Sequence, residues 1–260
     1  MKRNSYRWLA IVVLLTGIVA GFALYLIWKQ QPVPIGAATP VQTAEPEIRY
    51  PVPLDAAAVL PPLDQSDGPV ASALAELFGA KALKNLLKPE QIVRHIVATV
   101  DNLPREKVAG RVMPTRPVAG KFQTASDGKE MVIARENAAR YAPFVRLVES
   151  VDPEKLVALY THYYPLFQQS YQDLGYPKGY FNDRLVAVID HMLAAPVPEG
   201  PVALVQPHIF YQFASADLEA SSAGHKILFR MGPENAARIK ARLQQIRPHL
   251  TGRTDLAPSR

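Results

Sequence analysis

Between Trp8 and Trp28 the chain runs for 21 residues, WLAIVVLLTGIVAGFALYLIW, without a single charge. A helix rising about 1.5 Å per residue spans about 30 Å over that length, the thickness of a bilayer's hydrocarbon core. Lipid offers a backbone no hydrogen-bond partners, so a lone spanning segment has to be helical. Tyr6, Trp8 and Trp28 fall where an aromatic belt would lie. Lys2, Arg3 and Arg7 precede the segment and only Lys29 follows it closely. That asymmetry predicts residues 1–7 as a cytoplasmic stub, 8–28 as a transmembrane helix and everything beyond as exported. A cleavable signal peptide is the competing reading, but its apolar core would be about 7–15 residues long. The small residues Gly36-Ala37-Ala38 that could be cleaved lie well past the apolar segment. Gly17 and Gly21 form one GxxxG, a spacing that lets two helices approach closely. A homodimer through these glycines is one expectation; a chance pattern in an apolar segment is the other.

Residues 29–62 change character. Eight prolines (32, 34, 40, 46, 51, 53, 61 and 62) stand among Ala, Thr, Val and Gln with neither helical nor strand period. Prolines at this density favour extended polyproline II, which predicts a semi-stiff spacer between membrane and domain. Residues 63–250 are long enough for one domain with a proper core, and 251–260 read as a disordered tail. The chain has no cysteine. A disulfide, a thiol nucleophile, a cysteine metal site and an acylated lipoprotein cysteine are therefore excluded.

The domain reads as mainly α, a compact multi-helix fold with at most a few short strands. Asp67 or Ser66 caps a first helix carrying Val70, Leu74, Leu77 and Phe78 on one face. Lys81 to Leu87 forms a second, short helix. A third starts at Pro89, holds Ile92, Val93, Ile96, Val97 and Val100 in register, and stops at Asp101-Asn102-Leu103-Pro104. Residues 105–134 lack periodicity, with Lys121–Thr124 and Met131–Ile133 as possible strands of a small hairpin. Arg135 to Glu149 is helical with a break at Pro143. Asp152 caps the longest helix, Pro153 opens it and Gly175 closes it, with Pro165 inside. Its aromatic stripe is Tyr160, Tyr163, Phe167 and Tyr171. Phe181, Leu185, Val188, Ile189 and Met192 mark the next helix. Residues 201–213 look extended, and two final helices run from about 216 to 230 and 233 to 247. The pentapeptide ENAAR occurs at 136–140 and 234–238 with unlike flanks, which reads as two solvent-facing turns.

The strings LPPLDQSD (60–67), ATVDNLPR (98–105), ARYAPF (139–144), YPLFQQSYQDLGYPKGYFNDRLVAVIDHML (164–193) and LEASSAGHKILFRMGPENAARIKARLQQIR (218–247) resemble a proteobacterial domain-of-unknown-function family, number 3014. The resemblance covers roughly residues 60–250. It implies a Gram-negative envelope protein with one anchor, and brings no activity, cofactor or catalytic residue with it.

Chemistry is best sought between Phe181 and Leu193. Asp183 and Asp190 lie seven apart on the helix face opposite the apolar stripe, with Arg184 and His191 in the neighbouring row. As a carboxylate pair they could act as acid and base. Seven residues is about 10.5 Å of rise, against roughly 6.5–9.5 Å between the carboxyls of inverting glycosidases. The bland alternative is a solvated face, with Asn182 and Asp183 at the helix start. Six histidines are scattered without HExxH spacing, and adjacent Asp190 and His191 point about 100° apart, so neither a metal site nor a ready dyad is indicated. No cofactor is expected. No GxSxG elbow supports a serine triad. His95 borders an apolar stripe and reads as a packed, hydrogen-bonded residue. Asp101 and Asn102 beside Arg105 read either as a turn closure or as a binding point. From Lys226 onward eight Lys and Arg face two acids. Arg238 and Arg242 there could meet an anionic envelope polymer or an acidic protein; the alternative is a solvated helix face. Of the aromatics, Tyr164, Tyr176 and Tyr180 lie off the stripe and are the better surface candidates.

These features predict a non-enzymatic binding or scaffold module of the cell envelope. It would be single-pass in the bacterial inner membrane, with its N-terminus cytoplasmic and its domain periplasmic. Its expected partner is an envelope protein or an anionic envelope polymer, and no nucleic acid. The binding surface is expected at Tyr176, Tyr180, Asn182, Asp183, Arg184, His191, Arg238 and Arg242. The alternative is a periplasmic hydrolase of an envelope glycan acting through Asp183 and Asp190.

Overall fold

The computed structural model describes residues 47–252 apart from 55–57, 127 and 129. The cytoplasmic stub, the transmembrane helix with Gly17 and Gly21, residues 29–46 of the linker and the tail beyond 252 lie outside the described residues. Among the described residues no helix is long and apolar enough to cross a membrane.

A turn of 3-10 helix, Leu63–Gln65, leads into α1 (Asp67–Phe78), α2 (Ala80–Leu86) and α3 (Ile92–Asn102). Strands β1 (Thr124–Ser126) and β2 (Met131–Ile133) follow, then α4 (Glu136–Ser150), α5 (Pro153–Asp173) and α6 (Phe181–Leu193). β3 (Ala203–Val205), β4 (Gln212–Phe213), α7 (Ala216–Ala220), α8 (Ala223–Met231) and α9 (Pro233–Leu250) complete the domain. It is a mainly helical, multi-helix fold with four short strands among the described residues.

Among the described residues, Asp152, Ser215 and Ser222 cap the helices they precede. Asp152 accepts from the backbone N–H groups of Glu154 and Lys155 at 2.9 and 3.1 Å, with Pro153 at the first position, where a missing donor costs nothing. Those backbone bonds, Lys155's first, hold the Asp152 carboxyl below the usual carboxylate range. Asp67 was expected to cap its own helix. It instead accepts from Gln91 and Ile92 N–H at 2.7 and 2.8 Å, capping α3 across space. Ser66 donates to Leu63 O and caps nothing. The start of α3 has no side chain of its own to satisfy it, and Gln91 there has a left-handed φ of 50°.

Three expectations are corrected. Helix α4 runs through Pro143 without a break, because residues on both sides of it are held by packing: Val145 is fully buried and Tyr141 lies against a core cluster. The stretch 216–230 is two helices, since Ser222 turns the chain and caps α8 by accepting from His225 N–H. The two ENAAR copies face solvent only in part: Glu136, Ala139, Glu234 and Ala237 are exposed, whereas Asn137 and Asn235 are buried and bond neighbouring backbone, Asn235 donating to Ala138 O within the first copy. The Asn235 amide satisfies a carbonyl where α4 and α9 pack, and the Asn137 amide those of Gln123 and Ala134 at the start of α4, which apolar residues could not do.

The strands form one antiparallel sheet in the order β1-β2-β3-β4, with Ala125 opposite Val132, Met131 opposite Leu204 and Leu204 opposite Phe213. The hairpin expected at 121–133 therefore exists, three residues later in its first strand, and is extended by the 201–213 stretch. Leu204 and Phe213 pack on Phe229 of α8, the Phe213 and Phe229 rings edge-on at 5.8 Å. The helices make the rest: α9 lies along α4, α5, α6 and α8, and α3 lies against α5 and α6.

Candidate functional site

The apolar side chains of the helical part do not close on one another. They fall into separate clusters, one around Ile92, Val97, Phe167 and Phe181, one around Val188, Leu228 and Met231, and one around Val157, Val186 and Leu250. Between them lies a cavity of about 510 Å³. Ile96, Val100 and Leu103 of α3 line it, with Leu159 and Tyr163 of α5, Leu185 and Ile189 of α6, and Ile239, Leu243 and Ile246 of α9. Phe144 of α4 and the segment Met113-Pro114-Thr115 complete the wall. No Asp, Glu, Lys, Arg or His lines it. Many of these residues are only half-buried inside the domain, because they face the hollow where a filled core would place another side chain.

Two of the four hydroxyls in the wall, which belong to Thr99, Thr115, Tyr160 and Tyr163, are already used. Thr99 Oγ1 donates to Val112 O at 2.9 Å, and Tyr160 Oη donates to Asn182 Oδ1 at 3.2 Å. Burial pushes the Tyr160 phenol well above its ordinary range. The wall thus offers apolar surface and almost no hydrogen-bonding capacity, a site for hydrocarbon and not for a sugar or an ion.

The other face of α6 carries the residues singled out from the sequence. Asp183 accepts the backbone N–H groups of Arg49 and Tyr50 at 2.9 and 2.8 Å. Asn182, fully buried, donates to Tyr50 O and Leu250 O. Tyr180 Oη accepts from Val52 N–H at 2.7 Å. Residues 49–52, within the expected linker, are thereby bonded along the start of α6. Arg184 donates to the carboxylate of Asp101 at 3.0 Å and to its backbone carbonyl. Arg105 and the Tyr176 hydroxyl reach the other oxygen of the same buried carboxylate at 2.6 and 3.1 Å. Asp101 is thus neither turn closure nor exposed binding point but the centre of a four-residue seam. Asp190 pairs with Arg247, and Asp183 has no part in that pair.

His191 stacks on His225 with centroids 4.2 Å apart, and its Nε2 lies 2.8 Å from Ser222 Oγ. His225 Nε2 donates to His191 O, so it carries the proton there. Burial, the neighbouring His225 and the Arg184 charge all lower the His191 pKa below its ordinary value. Arg238 forms a forked pair with Glu149, and Arg242 donates to the carbonyls of Val148 and Glu149, closing the C-terminal end of α4. Tyr164, expected at the surface, is buried with its hydroxyl on Gln168. His95 is half-buried, and its Nδ1, out of solvent, lacks a hydrogen-bond partner, so the hydrogen bond expected of it is absent at that nitrogen. No group of three His, Cys, Asp or Glu converges as for a metal among the described residues.

The structure thus brings Asn182, Asp183 and Tyr180 together around the incoming chain, and Tyr176 and Arg184 around Asp101. It places His191, Arg238 and Arg242 at separate junctions. The cavity was missed from the sequence, where its lining residues read as ordinary amphipathic stripes. No periodicity distinguishes a stripe that meets another stripe from one that faces a void.

A family model described as a protein of unknown function, DUF3014, matches residues 92–247. No curated protein and no solved structure matches the chain.

Proposed function

The chain belongs to the DUF3014 family, and we propose that it is a membrane-tethered envelope protein whose periplasmic domain binds one long apolar chain of a lipid in its central cavity. The tether is residues 8–28, the Pro-rich stretch to 46 is the spacer, and the leaflet they reach supplies the ligand. The cavity carries this reading. An apolar hollow of about 510 Å³ forfeits the dispersion contacts that a filled core would make. Water fills such a space poorly, since each buried water needs several polar partners and the wall spares only the Thr115 and Tyr163 hydroxyls. Hydrocarbon fills it well. At about 30 Å³ per methylene, similar to a water's share of the liquid, the cavity takes on the order of 15 carbons. That is one acyl chain, with its head group left outside.

The binding reading also sits better with the polar groups. A hydrolase using Asp183 and Asp190 would have to free both, the first from two backbone N–H groups and the second from Arg247. A carboxylate so engaged is already spent on holding the fold.

The test is a titration of a fluorescent long-chain fatty acid into the compact unit from Glu45 onward, wild type against the double variant Val100→Phe and Leu243→Phe. Both positions line the cavity. The filled variant should bind at least tenfold more weakly, while its unliganded form melts higher, since cavity filling contributes about 0.5–2 kcal/mol. Unchanged affinity in a folded variant would place the ligand elsewhere and end the reading.

A further inference from the structure

The connection between β3 and β4, residues 206–211, turns apolar side chains away from the core. Ile209 is 82% exposed and Phe210 80% exposed, side by side at the hairpin tip. Val205, at the end of β3 where the connection starts, is also 44% exposed. A folded domain exposes single apolar residues routinely, but two adjacent large ones on a tip held in shape mark a contact surface. The tip is held: Gln206 donates to Ile209 O, and at its base Tyr211 packs on Phe122 with ring centroids 5.6 Å apart. Between Glu199 and Asp217 no residue bears a fixed charge, so the tip can leave water without burying one. Behind it Arg230 lies beside Phe210 and Phe122, its guanidinium 5.3 Å over the Phe213 ring. A cation thus shares a surface pocket with Phe210, where it could meet a lipid phosphate.

We propose that the Ile209–Phe210 tip dips into the surface of the bilayer to which this chain is tethered. The proposal rests on the tether reading. About 18 residues separate the end of the apolar segment from the described residues, a reach of roughly 55 Å at about 3.1 Å per residue. The domain therefore stays within tether length of one membrane, at a high effective concentration of lipid surface. Two apolar side chains, too few to hold a free protein on a membrane, suffice to orient one already held there. The occupant the observations favour is therefore lipid and not a second protein.

The absence of cysteine makes the test direct. Full-length chain carrying Ile209→Cys, labelled with an environment-sensitive fluorophore, is reconstituted into phosphatidylethanolamine–phosphatidylglycerol vesicles. A second preparation carries the label at the exposed Lys81→Cys. Emission at 209 should shift to the blue and be quenched several-fold more by spin-labelled lipid than emission at 81. Adding Phe210→Asp should bring quenching at 209 down to the level at 81. Equal quenching at the two sites would overturn the proposal. So would a blue shift that grows with protein density and is insensitive to spin-labelled lipid, since the tip would then be covered by a second copy. The same vesicles report on the tether separately. Chain that fails to float with them loses its anchor and this proposal with it, whereas chain that floats with 209 unquenched loses only the proposal.

Discussion

Helix α6 has two faces with opposite histories. Its polar face carries Asn182, Asp183, Arg184, Asp190 and His191, the side chains with the most chemistry in the sequence. Each of them is engaged inside the fold: the incoming chain, the Asp101 carboxylate, Arg247, and the Ser222 turn. Its apolar face, Leu185, Val188, Ile189 and Met192, looks like ordinary core and borders the cavity instead. The difference teaches that reactive groups are expensive to leave unpaired, so a fold consumes most of them for itself. Spare capacity for a ligand appears where packing, not polarity, is incomplete.

That contrast can be broken by removing the polar face one group at a time. The largest effect is expected at Asp101, whose side chain is 3% exposed. Asp101→Ala leaves Arg184 only the backbone carbonyl at 101 and strips Arg105 and Tyr176 of their shared acceptor, and should cost about 1.5–3 kcal/mol in a urea unfolding experiment. A loss under about 1 kcal/mol would mean that the seam is not structural. Asn182→Ala removes two donors and an acceptor from a fully buried site and should cost about 1–3 kcal/mol. It should also free residues 49–52, read as faster proteolysis after Arg49; an undisturbed cleavage rate would argue that Asp183 and Tyr180 hold the segment alone.

A pH series sharpens the comparison at His191. Its folded pKa lies below the ordinary value, chiefly through burial. The unfolded chain therefore binds more protons in the window between the depressed pKa and about 6.5, and stability rises with pH there. Its contribution is present above about pH 6.5 and is lost as pH falls toward the folded pKa. The urea midpoint of the wild type should drop more steeply between neutral and mildly acid pH than that of His191→Gln; parallel profiles would mean that other groups carry the dependence. The smallest effect is expected at Asp190→Asn. That carboxylate is 46% exposed and its partner Arg247 32%, so the pair should contribute about 0.5 kcal/mol or less, falling further in high salt. A greater loss would assign Asp190 a role on the polar face that its one partner does not explain.

Much of the fold was legible because its signals are local. Asp152 with Pro153 marks the start of α5 in the sequence and in the structure, since a carboxylate reaches N–H groups two and three residues on without help from the rest of the chain. The stripes of α3 and α6 were equally readable. Asp67 was not, because the helix it caps begins some 25 residues away. Nor was the split at Ser221-Ser222, where two adjacent serines inside a helical pattern look tolerable until Ser222 Oγ is seen bonded to His225 N–H. At Gly224, tertiary contact decides: a Cβ there would run into Met192 Sδ and press on the Leu103 carbonyl, which no pattern within 223–231 announces.

By itself the sequence determined a long uncharged segment, a proline-rich stretch, a cysteine-free domain of mainly helical content, and the apolar stripe of each main helix. These follow from composition and from periods of a few residues, which the chain carries wherever it is placed. Only the tertiary structure decided that the stripes surround a cavity, that the polar residues of α6 turn to partners up to 134 positions distant, and that Ile209 and Phe210 remain in solvent. Volume left between helices and the pairing of distant side chains depend on how elements meet, and the spacing of residues along one element does not encode that.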